Sequence, residues 1–223
     1  MRYRTGFHRE LERLQDEVLV LGSMVEKATL RAVDALRNRN VVMARVIEAE
    51  DMLVDRKRFD IEESVLLTIA TQQPMASDLR QLAAILHIIT DLERMGDYAA
   101  GIAHVCTQIG DEPLIKPLID IPRMAEKATS MLRRALGAFV ERDVVTAEQI
   151  ACEDDEVDAL YQQVYRELLA IMLANPRTID QATRLLWVAH NLERVADRVQ
   201  NICERVVFVV NGRMHELSRG AID

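Results

Sequence analysis

"DLERMGD" (Asp91–Asp97) and "NLERVAD" (Asn191–Asp197) write one Leu-Glu-Arg-x-x-Asp frame twice, 100 residues apart. Each lies in a long proline-free segment. Around the first, Ile85, Ile88, Leu92, Met95, Ala99 and Ile102 recur at alternating spacings of three and four; around the second, Leu185, Val188, Leu192, Val195, Val199 and Ile202 do the same. Such a seam is one buried face of an α-helix. The 100-residue offset returns in "MVEKATLRAVDAL" from Met24 and "MAEKATSMLRRAL" from Met124, identical at seven of thirteen positions. Two copies of so long a period define a duplicated supersecondary unit, since a solenoid needs three or more shorter repeats.

Composition agrees with a helical fold. The 223 residues are 49% hydrophobic, with 8 Gly, 5 Pro and 4% aromatics, which leaves little material for sheets and turns. Prolines break helix interiors, so Pro74, Pro113, Pro117, Pro122 and Pro176 mark the gaps between elements. The pattern predicts helices at about 7–37, 41–72, 78–109, 121–140, 143–174 and 178–211. Ser77 and Asp78 are candidate caps for the third, and "TIDQ" (Thr178–Gln181) has capping-box spacing for the last. "GDEPLIKPLIDIP" (Gly110–Pro122) reads as the linker. The expected fold is all-α: two tandem, pseudo-symmetric three-helix bundles, residues 1–112 and 113–223.

A net charge of −8 offers no basic stripe for a nucleic-acid backbone. Cys106, Cys152 and Cys203 are odd in number and widely spaced, which points to buried thiols rather than a disulfide framework or thiolate zinc site. No signal peptide and no membrane span is evident, so a soluble cytoplasmic protein is expected.

The charged frame carries the candidate chemistry. Residues four apart share a helix face with Cβ atoms roughly 6 Å apart, so Glu93 and Asp97 stand side by side, as do Glu193 and Asp197. The preceding helix of each copy carries a matching pair, Asp51 with Asp55 and Asp154 with Asp158. If helices two and three fold back at Pro74, residues 53 and 95 each lie 21 positions from the turn, so the pairs come level. The second copy gives 20 and 19 about Pro176. Glu93 and Glu193 follow a seam position by one residue, about 100° of rotation, which puts the carboxylates at the rim of the core. Oxygen ligands in this number suit Mg, Ca, Mn or Fe better than zinc or copper, whereas di-iron oxygenase chemistry would need Glu-x-x-His ligands. The competing reading is a solvated ion-pair network, with Arg94 and Arg194 three residues before Asp97 and Asp197, and Arg56, Lys57 and Arg58 after Asp55.

His8, His87, His104 and His215 have no repeated partners and read as ordinary helix residues; Gly22, Gly96 and Gly101 read as close-packing positions, and Met24, Met43, Met52 and Met95 as core filling. There is no phosphate loop or nucleophile elbow. Carboxylate-bound metals leave a metal-dependent hydrolase of phosphorylated substrates as the alternative function.

"QQPMASDLRQLAAILHIITDLERMGDYAAGIA" from Gln72 and "NLERVADRVQNICERVVFVVNG" from Asn191 resemble the two repeats of the PhoU family of phosphate-transport accessory and signalling proteins. The resemblance runs over essentially the whole chain. It implies two three-helix bundles and no enzymatic activity. It also implies metal clusters, divalent or trivalent, on Asp51, Asp55, Glu93, Asp97, Asp154, Asp158, Glu193 and Asp197. Its implied role is repression of the phosphate-starvation response, coupling the high-affinity phosphate ABC transporter to a sensor histidine kinase. The implied partners are that kinase and the transporter ATPase, met at the inner face of the membrane, with a homodimer expected; service to another phosphate permease is a variant of the same reading. Two departures stand in the second copy, where Arg198 replaces the His common in the family and Ala196 stands at the place of Gly96.

Overall fold

The structure is a computed structural model describing residues 2–213 and Leu217, with side chains from Gly6 onward. Seven α-helices and one short 3₁₀ turn make up the described residues: α1 (Arg2–Asn38), α2 (Val41–Gln72), α3 (Ala76–Ile109), α4 (Asp120–Glu141), α5 (Val144–Cys152), α6 (Asp154–Ala174), the 3₁₀ turn Pro176–Thr178, and α7 (Ile179–Asn211). The first copy is α1–α2–α3, and the second is α4, then α5 and α6 as one interrupted helix, then α7.

The interruption was not expected from the pattern, which predicts one helix over 143–174. At Glu153 two i→i−3 bonds replace the α-helical ladder: Glu153 N–H donates to Ile150 O at 3.0 Å, and Glu156 N–H to Glu153 O at 3.1 Å. Lys127 Nζ and Arg134 Nη1, both from α4, hold the Glu153 carboxylate at 2.7 Å each. Asp154, Asp155 and Glu156 then fill the first turn of α6, where negative charge complements the helix dipole.

The duplication extends to the turns at an offset of 103. Arg39 and Arg142 both take left-handed φ, 55° and 57°. Asn40 and Asp143 follow them as N-caps, the Asn40 side chain accepting from Met43 N–H at 3.0 Å and Asp143 from Thr146 N–H at 3.1 Å. Asn40→Ala is expected to cost about 1 kcal/mol. The check is a melting temperature lower by roughly 2–4 °C.

The expected cap of α3 moves from Ser77 or Asp78 to Met75, while that of α7 stands at Thr178 as the pattern predicts but without the capping-box bonds; neither residue makes a side-chain cap bond. Thr178 Oγ1 instead donates to Asn175 O at 2.7 Å. Gln181 is drawn away by the linker, accepting from Ile115 N–H at 2.6 Å and donating to Pro113 O at 3.1 Å. A buried amide thus satisfies backbone groups that the proline-rich stretch cannot pair within itself.

All twelve seam residues of α3 and α7 are fully buried, and all but Ala99 belong to one continuous apolar core shared by both copies. α3 and α7 lie antiparallel at its centre: Asn201 Nδ2 donates to Asp91 Oδ1 at 3.2 Å, and ten positions on along α3 and ten back along α7 a Cβ on Gly101 would stand 3.0 Å from Asn191 Nδ2. α1 and α4 form a second antiparallel pair across the copies, with Arg133 bonded to Glu26. Gly22 permits that approach, since a Cβ there would lie 2.1 Å from Leu136 Cδ1. α2 covers α1 and α3, while α5 and α6 cover α4 and α7.

Two minor expectations fail at exposed positions. Met95 is buried and Met24 packs on the core, but Met43 and Met52 lie on the outward side of α2. Cys106 and Cys203 are buried while Cys152 is exposed. His215 lies outside the described residues. Among the described residues no helix is long and apolar enough to cross a membrane.

Candidate metal centre and its counterpart

α2 and α3 form the expected hairpin, and it brings the first four carboxylates together. The Asp51 carboxyl is pushed up to about 6 by burial, with Asp55, Asp97 and Glu93 each adding repulsion. Glu93 is raised by burial and by Asp97 and Asp55, against the pull of Arg94 and Arg58. Asp51 lies in the angle between the helices because residue 96 is glycine: a Cβ there would sit 3.2 Å from Asp51 Oδ1 and 3.0 Å from Val54 Cγ1.

The ion-pair reading is realised only in part. Arg94 Nη1 takes Asp97 at 3.1 Å and Arg94 Nε approaches Glu93 at 3.6 Å. Of the cations after Asp55, Lys57 turns to Glu17 and Arg58 Nη1 bonds Glu62 at 2.9 Å while still pulling on Glu93 from a distance. Negative charge therefore accumulates about Asp51. A hard cation fits this donor set in chemistry. Among the described residues, however, no group of three or more His, Cys, Asp or Glu side chains is drawn close enough to hold an ion as it stands. The four acids face one another at rest and would have to converge.

The second copy uses the same elements with a different charge balance. Tyr161 of α6 faces His190 of α7 with ring centroids 6.3 Å apart, which places Asp158 level with Glu193 and Asp154 level with Asp197. Asp154 is buried. Burial raises both Glu193 and Asp197, with Asp197 adding to Glu193. Arg194, Arg198 and His190 pull Asp197 back, Arg194 Nη1 bonding it at 3.2 Å. His190 Nδ1 stands 3.3 Å from Glu193 Oε2.

A buried ion pair outside the four acid pairs joins the two halves. Asp91 opens the first repeated heptapeptide, and its buried carboxylate accepts from Arg198 Nη1 at 3.2 Å across the α3–α7 contact. The Tyr98 hydroxyl faces Arg194 and Arg198; burial raises its pKa, and the two guanidiniums more than reverse that. Only the offset could have signalled this, because Asp91 and Asn191 occupy equivalent places with different charge.

A duplicated three-helix unit, antiparallel about a central helix pair and bearing a carboxylate hairpin in each half, defines a class of all-helical tandem bundle. A model of the PhoU domain matches residues 18–106 and again 121–206, and the chain belongs to the PhoU family. It is 37% identical over 213 residues to a protein of Clostridium acetobutylicum named phosphate-specific transport system accessory protein PhoU homolog, covering 95% of this chain and 97% of that one. Crystal structures of PhoU from Pseudomonas aeruginosa and of the phosphate transport system regulatory protein PhoU from Streptococcus pneumoniae superpose with a TM-score of 0.87 each. They are 31% and 32% identical, covering 93% and 94% of this chain and 100% and 99% of theirs.

Proposed function

We propose that this chain is a non-enzymatic regulator of phosphate uptake that works at the cytoplasmic face of the membrane. It couples a phosphate ABC transporter, through its ATPase, to a sensor histidine kinase and holds the starvation response off when phosphate is plentiful. The observation that supports this most is the end-to-end relationship to a phosphate-transport accessory protein, 97% of which is covered at 37% identity. A homodimer is part of the proposal. An adaptor of this kind acts through different affinities for two partner states, and its repeated helical faces offer separate surfaces for two proteins. The test is a chromosomal deletion carrying a starvation-promoter reporter. The reporter is expected to be on in phosphate-replete medium and to be silenced again by the gene in trans. A reporter that stays silent in the deletion overturns the role.

We further propose a divalent or trivalent cation on Asp51, Asp55, Glu93 and Asp97, where the acids outnumber their cations. Bound there, Mn, Fe, Mg or Ca would neutralise the hairpin and clamp α2 to α3. The residues' own part is to hold the charges level: the Gly96 surface seats Asp51, and Arg94 restrains Asp97 at 3.1 Å.

A further inference from the structure

α2 is apolar on two opposite sides. Its inner side packs on α1 and α3 through Ile47, Val54, Ile61 and Val65, and no other described helix touches it. On its outer side Met52, Leu53, Phe59, Leu66 and Leu67 are each more than half exposed. From Ala49 to Ala70 the exposed positions advance by four and three residues in turn, which is the spacing of a helix-packing seam. The duplication supplies a control. α6 takes the place of α2 in the second half, and at the 103-residue offset its outer side carries Asp155, Glu156 and Gln162 where α2 carries Met52, Leu53 and Phe59. Of the five apolar side chains, only Leu66 has a large apolar counterpart, Leu169. The three-helix unit therefore folds without an apolar outer row, and the row on α2 answers to something outside the chain.

We infer that this face binds the same face of a second copy, α2 against α2 in antiparallel, about a two-fold axis crossing the helix between Phe59 and Asp60. A two-fold contact must be self-complementary, each residue meeting a different one that meets it in return. The row has that property. About this axis Ala49 comes level with Ala70, Met52 with Leu67, Leu53 with Leu66, and Arg56 with Glu63, each pair made twice, while the two Phe59 rings stand beside the axis. Arg56 and Glu63 are exposed, and among the described residues neither makes an ion pair or side-chain hydrogen bond within its own chain. Opposite charges level with one another across paired helices set their register and direction, and here they flank an apolar centre. A lipid surface fits the row less well. An interfacial helix keeps its charges on the face away from the acyl chains, whereas Arg56, Asp60 and Glu63 interrupt the apolar row itself. The inference rests on the homodimer included in the proposed function and names the face that forms it.

The test is the mass of the full chain by size-exclusion chromatography with light scattering, at low ionic strength. Wild type is expected at twice the 25.4 kDa of one chain. The triple variant Met52→Asp, Leu53→Glu, Phe59→Gln, which copies the outer side of α6, should be monomeric with unaltered helix content by circular dichroism. Arg56→Glu and Glu63→Arg alter only exposed side chains, and each should raise the dimer dissociation midpoint at least ten-fold, because like charges then stand level twice. An equal mixture of those two chains should dimerise as tightly as wild type, since every level again pairs a cation with an anion. A mixture no tighter than its components would overturn the antiparallel pairing and with it the inference. Dimers that persist in the triple variant would also overturn it, and would leave the homodimer standing on another face. A monomeric wild type would overturn both; flotation of that monomer with phosphatidylcholine vesicles, lost in the triple variant, would assign the row to a lipid surface. The starvation reporter reads the adaptor role separately.

Discussion

In chelator-treated protein at pH 7, Asp51→Asn is expected to raise the melting temperature, although it removes a proposed metal ligand. An ordinary aspartate loses its proton near 3.8, whereas the folded Asp51 holds it to about 6. Between those values the folded chain binds a proton that the unfolded chain does not. Stability from this group is therefore full at low pH, falls as pH rises from about 4 to about 6, and stays lost above that. The shift corresponds to about 3 kcal/mol at full strength, and solvent screening at a half-buried carboxyl reduces it to roughly 1–1.5 kcal/mol. Asn keeps the shape and removes the charge, so a rise of roughly 2–6 °C follows. Mn2+ should reverse the ranking. At 100 times its dissociation constant a ligand adds about 2.7 kcal/mol to the wild type, and the variant should gain little. Elemental analysis of wild type and variant, dialysed without chelator, supplies the occupancy. A lower melting temperature for Asp51→Asn in chelator would mean that the carboxylate is held by partners rather than repelled.

Much of this arrangement is legible in the sequence because duplication makes periodicity self-checking. The alternating seam fixes which face of α3 and α7 is buried, and all twelve residues are buried as that pattern requires. Counting outward from Pro74 sets the α2–α3 register, and the repulsion on Asp51 from Asp55, Asp97 and Glu93 is the consequence. What escaped the sequence depends on contacts between distant elements. The break at Glu153 needs Lys127 and Arg134 from α4. Gln181 looks like a cap until the linker carbonyl of Pro113 is there to claim it. Met52 belongs to a helix face that no other described element covers, and no local pattern separates it from a core methionine. The inequality of the two acid sets is a matter of cations, since Arg58 and Tyr161 fall at equivalent positions only when the 103-residue offset of α2 against α6 is applied.

The central helix pair gives the other large effect. Arg198→Met is expected to destabilise the protein by about 2–3 kcal/mol, while Asp91→Asn should change it by less than about 1 kcal/mol. The asymmetry follows from burial. Asp91 is 8% exposed, and burial raises its pKa more than Asn201, Arg198 and Arg205 together lower it. Burial thus works against the Asp91 charge, and the equivalent position in the second copy is the neutral Asn191. Removing Arg198 takes away a guanidinium 3.2 Å from Oδ1 and leaves a buried anion with reduced compensation. Breaking a buried pair from one side costs about 3–5 kcal/mol when nothing else answers the charge; here Asn201 still donates, which sets the lower figure. The melting temperature should fall by roughly 4–12 °C. Adding Asp91→Asn to Arg198→Met should restore most of the loss, a coupling of about 1–2 kcal/mol between side chains from the two halves. A double variant as unstable as Arg198→Met alone would assign the effect to the lost packing of the arginine stem. Recovery would mean that a single ion pair joining the two halves, whose equivalent positions are held by the neutral Asn191 and Tyr98, distinguishes the two otherwise equivalent sides of the α3–α7 contact.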